Sequence, residues 1–173
     1  MENGKAGIFD ATLCKVHIKP IYKSIVGNSF IYYEKKFPFF AELDNNMYVL
    51  LDFYGNRLNN SFYNGYNKNF YRNLSVIMNV DSFGHNKYGI VSSDGSTFLE
   101  PIFDSISWEE NNVLGTAIKD GKTYYFCSDS NRLFDSAKIF FEHEVRDGSA
   151  YKKTQYLLID SSTGKEFLYE YLR

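Results

Sequence analysis

The chain has 173 residues, with 19 Lys and Arg against 21 Asp and Glu, a formal net charge of −2 and a pI near 5.9. That length suits one domain, able to bury roughly 70% of the surface its unfolded chain exposes without help from a metal or a disulfide. The slightly acidic balance argues against a general nucleic-acid binder, which carries a basic face, and no apolar run approaches the length of a membrane-spanning helix.

Aromatic residues make up 18% of the chain, with 15 Tyr and 16 Phe; Asn is abundant at 16 and Ala scarce at 6. Tyr and Phe favour strands and Asn favours turns, so composition points to an all-β protein with many turns. The same enrichment also suits AT-rich coding DNA. Cys14 and Cys127 form no CxxC pair and no metal spacing, so buried thiols in a reducing compartment are expected. The start, Met-Glu-Asn-Gly-Lys-Ala-Gly-Ile, lacks a signal layout. A soluble, cytoplasmic protein is the expectation.

In chain order, Gly4-Lys5-Ala6-Gly7-Ile8-Phe9-Asp10 leads into the extended run Val16-His17-Ile18-Lys19-Pro20-Ile21-Tyr22-Lys23-Ser24-Ile25. Ser29 to Leu43 predicts a hairpin turning near Lys35-Lys36. Met47 to Asn56 repeats the strand, the Asp and a turn glycine three residues later. Lys87 to Asp120 is the best-formed unit. A first strand runs to the turn Ser93-Asp94-Gly95, a second carries Phe98, Ile102 and Ile106, and a third runs from Val113 to Ile118. Leu99-Glu100-Pro101-Ile102-Phe103-Asp104-Ser105-Ile106 matches Lys19-Pro20-Ile21-Tyr22-Lys23-Ser24-Ile25 in its Pro-Ile-aromatic-x-Ser-Ile pattern. Further copies lie at Gly121–Asn131 and Gln155–Lys165. With Asp10, Asp52, Ser92, Ser128 and Asp160 taken as equivalent, the spacings are 42, 40, 36 and 32 residues, within the range of structural repeats. Ser136 to Val145 suits a helix or a strand. The end, Thr163 to Arg173, carries a Thr-x-x-Glu helix cap, but the repeat register favours a strand there.

Gly-Lys-x-Gly-Ile-x-Asp, a turn glycine and a Pro-Ile-aromatic-x-x-Ile strand resemble the WG repeat (WG β-repeat) of bacterial proteins. The first and third units match best; the Trp-Gly pair itself is replaced by Ala6-Gly7, Tyr88-Gly89 and Tyr124-Tyr125. The resemblance implies an all-β, antiparallel short-strand repeat array, a curved sheet or incomplete propeller. About five units are expected, near residues 1–45, 46–85, 86–120, 121–150 and 151–173. It implies no common catalytic set, and in some bacteria such repeats resemble parts of toxin–immunity or phage–host conflict systems.

No nucleophile elbow, His-Glu-x-x-His, phosphate loop or dinucleotide fingerprint occurs. His17, His85 and His143 are far apart, and none neighbours a second ligand at metal spacing. Glu142 and Glu144 would face away from His143 on a strand. Glu109-Glu110, in a polar turn, lacks the desolvation that acid catalysis needs. No catalytic residue, metal or cofactor is therefore expected.

Phe53 to Val80 contains no acid, whereas Tyr88 to Ile118 has five acids and no base. Within the first, Tyr, Asn, Ser and Gly dominate, the composition of binding surfaces. Arg57, Phe62, Tyr63, Tyr66, Lys68, Tyr71 and Arg72 are the candidate contact residues, with Trp108 as a further aromatic. The plain alternative is that alternate aromatics here face a core. Stacking on single-stranded nucleic acid is another use of aromatics among cations, but three cations are few for it. The expected function is non-catalytic binding of another protein, in its specific form as an inhibitor or immunity protein. A small-ligand or nucleotide site in an aromatic pocket between repeats is the alternative.

Overall fold

The computed structural model describes residues 4–27, 38–67, 73–108, 114–128, 130–146 and 149–172. Among these there is no helix: sixteen strands form five antiparallel sheets, none closed into a barrel. This is the all-β short-strand array that the sequence predicts. The chain divides into two compact units, Met1–Ile102 and Phe103–Arg173.

In the first unit, β1 (Ala6–Asp10) and β2 (Lys15–Tyr22) pair as sheet one. Sheet two is β3 (Ser24–Val26), β4 (Phe39–Glu42) and β5 (Tyr48–Leu51). Sheet three is β6 (Gly65–Tyr66), β7 (Leu74–Val80), β8 (Asn86–Ser92) and β9 (Thr97–Phe103). In the second unit, β10 (Ser105–Trp108), β11 (Leu114–Lys119), β12 (Lys122–Cys127) and β13 (Ser130–Phe134) form sheet four. Sheet five is β14 (Ser136–Arg146), β15 (Ser149–Asp160) and β16 (Lys165–Leu172). Within each sheet, strands adjacent in sequence are adjacent in space, so every connection is a hairpin.

One turn serves three of those hairpins and also follows β5. The N–H groups of Leu43, Asp52, Asp81 and Ser92 donate to the carbonyls of Met47, Asn56, His85 and Ser96 at 2.8, 2.8, 2.9 and 2.9 Å. The residue three positions on is left-handed: Asn46, Gly55, Gly84 and Gly95, with φ of 61, 87, 85 and 88°. That slot needs a residue without a Cβ penalty, or an Asn. Aspartates cap it: Asp52 Oδ1 accepts from the N–H groups of Tyr54 and Asn56 at 2.8 Å, and Asp81 Oδ1 from those of Phe83 and His85 at 2.9 Å.

A second device joins one sheet to the next. At Tyr22-Lys23-Ser24, Tyr63-Asn64-Gly65, Phe103-Asp104-Ser105 and Phe134-Asp135-Ser136, a buried aromatic ends a sheet, one residue bends, and the next sheet begins. The bend N–H groups of Lys23, Asn64 and Asp104 donate to the carbonyls of Glu42, Met78 and Ile118 at 2.8, 2.9 and 2.7 Å. Each carbonyl belongs to the second strand of the sheet being entered. The single strand expected from Thr97 through Ile106 is therefore two strands, β9 and β10, broken at Asp104.

The bends also set the register. Ser24, Gly65, Ser105 and Ser136, each just past a bend, pair with Glu42, Met78, Ile118 and Ile159. By that pairing Asp160 closes a second strand, as Asp81 does, and is not the equivalent of Asp10, Asp52 and Ser92. The expected repeat register slips by one hairpin in the last unit, because Asp-rich turns occur in both hairpins of a unit. Ser136–Arg146 and the C-terminal Lys165–Leu172 are strands; only β4 of the hairpin expected over Ser29–Leu43 lies in the described residues.

Gly7 explains the Gly-Ile and Pro-Ile pairing. Between Ala6↔Tyr22 and Ile8↔Ile18 the register slips, so Lys19-Pro20-Ile21 bulges opposite Gly7. A Cβ on Gly7 would lie 2.5 Å from the Ile18 oxygen and 2.8 Å from the Pro20 nitrogen. Glycine permits the approach, and proline forgoes a ladder hydrogen bond the bulge would not supply.

The core lies between neighbouring sheets. Ile8, Ile18 and Tyr22 of sheet one meet Ala41, Val49 and Leu51 of sheet two. On the opposite face of sheet two, Phe40, Leu50 and Tyr48 meet Ile77, Val91 and Tyr66 of sheet three. Sheet two is thus buried on both faces, which is why β5 reads as an unbroken Tyr-Val-Leu-Leu run. In the second unit Leu114, Cys127 and Phe134 pack on Tyr156, Leu158, Phe167 and Tyr169.

Candidate binding surface

The connection from β5 to β6, residues 52–64, carries four of the sequence candidates or their supports. It replaces a regular fourth strand in sheet two. Arg57 forms a bridge to Leu51, and Tyr63 one to Tyr48. The Leu58 N–H donates to the Leu50 carbonyl at 2.9 Å. Asn59 pins the middle: its Nδ2 donates to Tyr63 Oη at 2.8 Å and to the Gly95 carbonyl at 2.7 Å, while its Oδ1 accepts from the Ser61 N–H at 3.1 Å. An asparagine used through both ends of its amide holds the loop in one shape.

On this base two candidates meet at the surface. The Arg57 guanidinium lies 4.5 Å from the Phe62 ring centroid, and its Nη2 donates to the Ser61 carbonyl at 3.2 Å. Arg57 is exposed, and Phe62 is 45% exposed. A cation held over a ring face gains about 0.5–1 kcal/mol at an exposed site, which biases the pair toward this geometry.

Tyr63 and Tyr66 have a different place. Tyr63 is 2% exposed and meets Phe40 edge-on at 6.2 Å. Tyr66 stacks on the other face of the same cluster, 4.2 Å from Phe40 at 14°, and meets Tyr48 at 4.9 Å. Burial pushes the Tyr66 phenol above its ordinary pKa. Tyr63 is the buried aromatic of a bend, so it turns inward and supports the loop from below instead of contacting a partner. Lys68, Tyr71 and Arg72 lie outside the described residues. Trp108 belongs to the second unit, where it pairs across β10 and β11 with Gly115. Its ring meets Phe126 edge-on at 4.9 Å. The Phe126 ring lies directly over Gly115 and fills the space left by the glycine. Trp108 is half-buried there as a packing residue.

Residue-by-residue reading missed a cluster around His17. The His17 side chain is 6% exposed, with Nε2 3.4 Å from Asp10 Oδ2. Its ring lies 4.5 Å from that of Phe53 and 6.1 Å from that of Tyr54. Nδ1 is buried without a hydrogen-bond partner. Asp10 is held below the ordinary carboxylate pKa, first by the Leu13 N–H and then by that of Thr12 and by His17. Counting back three residues from the bulge proline would have found it: His17 stands three before Pro20 as Phe98 stands three before Pro101. The slot takes an aromatic ring.

His85 Nδ1 lies 3.6 Å from Asp81 Oδ2 on an exposed turn, beyond hydrogen-bond length. The side chain of His143 lies outside the described residues. Among the described residues no three His, Cys, Asp or Glu side chains gather as a metal site, and no helix is long and apolar enough to cross a membrane. Cys127 is buried, as expected, but Cys14 is exposed. It sits at the end of the β1–β2 turn with φ of 48°.

No family model matches this chain, and no curated protein is similar enough to it to count as a relative. The fold defines the class, an all-β repeat array.

Proposed function

We propose that this chain is a non-catalytic protein-binding module whose second sheet carries the contact surface on residues 52–64. The observation that supports this reading is the Arg57–Phe62 pair, exposed on a loop fixed by the bifurcated Asn59 amide. Aromatic and Arg anchors dominate protein interfaces, and anchors ordered in advance lose less entropy on binding. The acid-free stretch from Phe53 to Val80 favours an acidic partner surface through charge complementarity. The narrower role, an inhibitor or immunity protein, rests on the resemblance to WG repeats.

The test is parallel capture from a lysate of the source organism by the wild-type chain and by an Arg57→Ala/Phe62→Ala variant, read by mass spectrometry. A stoichiometric protein held by the wild type and lost by the variant supports the proposal. Equal capture by both overturns it. A co-purifying metabolite or nucleotide with no protein favours the small-ligand reading.

A further inference from the structure

Gly55, Gly84 and Gly95 hold the same left-handed position in their turns, but different atoms stand over them. A Cβ on Gly84 would meet nothing within 4 Å, and one on Gly55 would touch the Ile18 side chain at 3.3 Å. A Cβ on Gly95 would lie 2.7 Å from the Leu58 carbonyl oxygen and 2.9 Å from its carbonyl carbon. The obstacle at Gly95 is therefore the backbone of the 52–64 loop, one residue from Arg57. Gly95 is buried, so it is not itself a contact residue.

From that turn a continuous series of hydrogen bonds runs to the surface. The Gly95 carbonyl accepts from Asn59 Nδ2 at 2.7 Å, and Asn59 Oδ1 accepts from the Ser61 N–H at 3.1 Å. The Ser61 carbonyl accepts from Arg57 Nη2 at 3.2 Å, and the guanidinium ends the series over the Phe62 ring. The turn at the base is itself fixed. The Gly95 N–H donates to the Ser92 carbonyl and the Ser92 N–H to the Ser96 carbonyl, both at 2.9 Å. Asp94 Oδ1 accepts from the Ser96 N–H at 2.9 Å and from its hydroxyl at 2.7 Å. Sheet two holds the loop at Leu58 and Tyr63; the stretch between them is tied to sheet three through Asn59.

We propose that the 92–96 turn of sheet three is a positioning element for the contact loop of sheet two. Gly95, through the close approach of Leu58 and the bond from Asn59, sets the placement of Arg57 and Phe62 and with it the affinity for the partner. The proposal rests on the protein-binding reading above and deepens it: the contact pair depends on a buried residue of another sheet. A methyl group at Gly95 pushes against backbone, which cannot rotate away as a side chain would, so loop and turn must move apart. Asn59 is then drawn off the Gly95 carbonyl, and the series of bonds loses its base. Anchors released in this way must be ordered again on binding, which weakens it.

The test uses the full chain and three variants, with circular dichroism melts to show that each folds. Gly95→Ala adds the obstructing methyl. Asn59→Asp keeps the acceptor for Ser61 and loses both donors, so it loosens the same joint without overpacking the turn. Gly84→Ala carries the same left-handed strain with nothing in its way. Amide hydrogen exchange needs no partner: the Leu58 and Ser61 N–H groups should exchange about tenfold faster in the first two variants and not in Gly84→Ala, with the amides of β7 and β8 correcting for global stability. The protein that the wild type captures from the lysate, measured by mass spectrometry, should be held about tenfold more weakly by the same two variants. Loop amides as well protected in Gly95→Ala and Asn59→Asp as in Gly84→Ala overturn the proposal. So does a loosened loop with capture undiminished. Equal capture by the wild type and Arg57→Ala/Phe62→Ala sinks the binding reading and this proposal with it. Loss in that variant with full capture by Gly95→Ala and Asn59→Asp sinks the positioning role alone.

Discussion

Gly89 lies so close to Leu99 that a Cβ on the glycine would come within 2.6 Å of the leucine carbonyl oxygen. Gly7 stands in the same relation to Ile18, and both glycines also face a proline nitrogen. The obstacle is backbone, which cannot rotate away as a side chain would. Gly89→Ala should therefore cost about 1–3 kcal/mol or force the bulge to shift. Gly84→Ala, with nothing within 4 Å of its new Cβ and a φ of 85°, should show only the left-handed penalty of about 1 kcal/mol. Urea unfolding of the two variants compares them; an equal loss would mean the bulge relaxes freely.

Core and surface aromatics on the same loop should separate cleanly. Tyr63→Ala removes a buried ring and should cost about 3–5 kcal/mol. Tyr63→Phe removes only the hydroxyl that accepts from Asn59, at about 1 kcal/mol. Phe62→Ala, one residue away, should cost no more than about 1 kcal/mol. A large loss in Phe62→Ala would show that its ring holds the loop together and would weaken its assignment as a contact residue.

Acid should act through the turns. Asp10, Asp81, Asp94 and Asp160 all lie below the ordinary 3.8, held down by N–H or hydroxyl donors of their own turns. Glu42 is lowered by Lys23 and Ser24. A carboxyl with a depressed folded pKa stabilises fully above its unfolded value, and that contribution is lost as pH falls through the folded one. Stability should be level from neutral pH down to about 5 and fall below about 4. Asp81→Asn keeps an oxygen acceptor and should flatten the fall, measured as Tm against pH. An unchanged acid limb would place the sensitivity elsewhere.

His17 occupies a slot that takes Phe98 in the third sheet. Its 3.4 Å contact to Asp10 is long, and its buried Nδ1 is unpartnered. His17→Phe keeps the ring against Phe53 and removes the orphaned nitrogen, so it should raise stability by about 1 kcal/mol. A loss in the melt would mean that the Asp10 contact outweighs the orphan.

Much of this architecture was legible because its devices are short and local. Gly55, Gly84 and Gly95 announce turns, and Pro20 and Pro101 follow Gly7 and Gly89 at 13 and 12 residues. The one-residue bend at Asp104 was not legible, since Phe103-Asp104-Ser105 has no glycine or proline to interrupt a strand. The slip at Asp160 came from the same locality: a turn announces a hairpin without saying which one. The candidate site was half legible. Arg57 and Phe62 meet on the surface, but Tyr63 turns inward because it ends a strand at a bend, and composition does not report which way a ring points.

A bend made by one residue leaves almost no sequence at the boundary between sheets. Ser24 to Asn64 contains the whole of sheet two with its closing bend, and Gly65 to Asp104 the whole of sheet three. Each segment begins and ends on the same hydrogen-bonded joint. A gene for such a chain can lengthen by copying one segment in frame, the new sheet fitting between its neighbours as they already fit each other. Growth by duplication leaves copies free to diverge, which suits a loop such as 52–64 to change while the joints on either side keep their form.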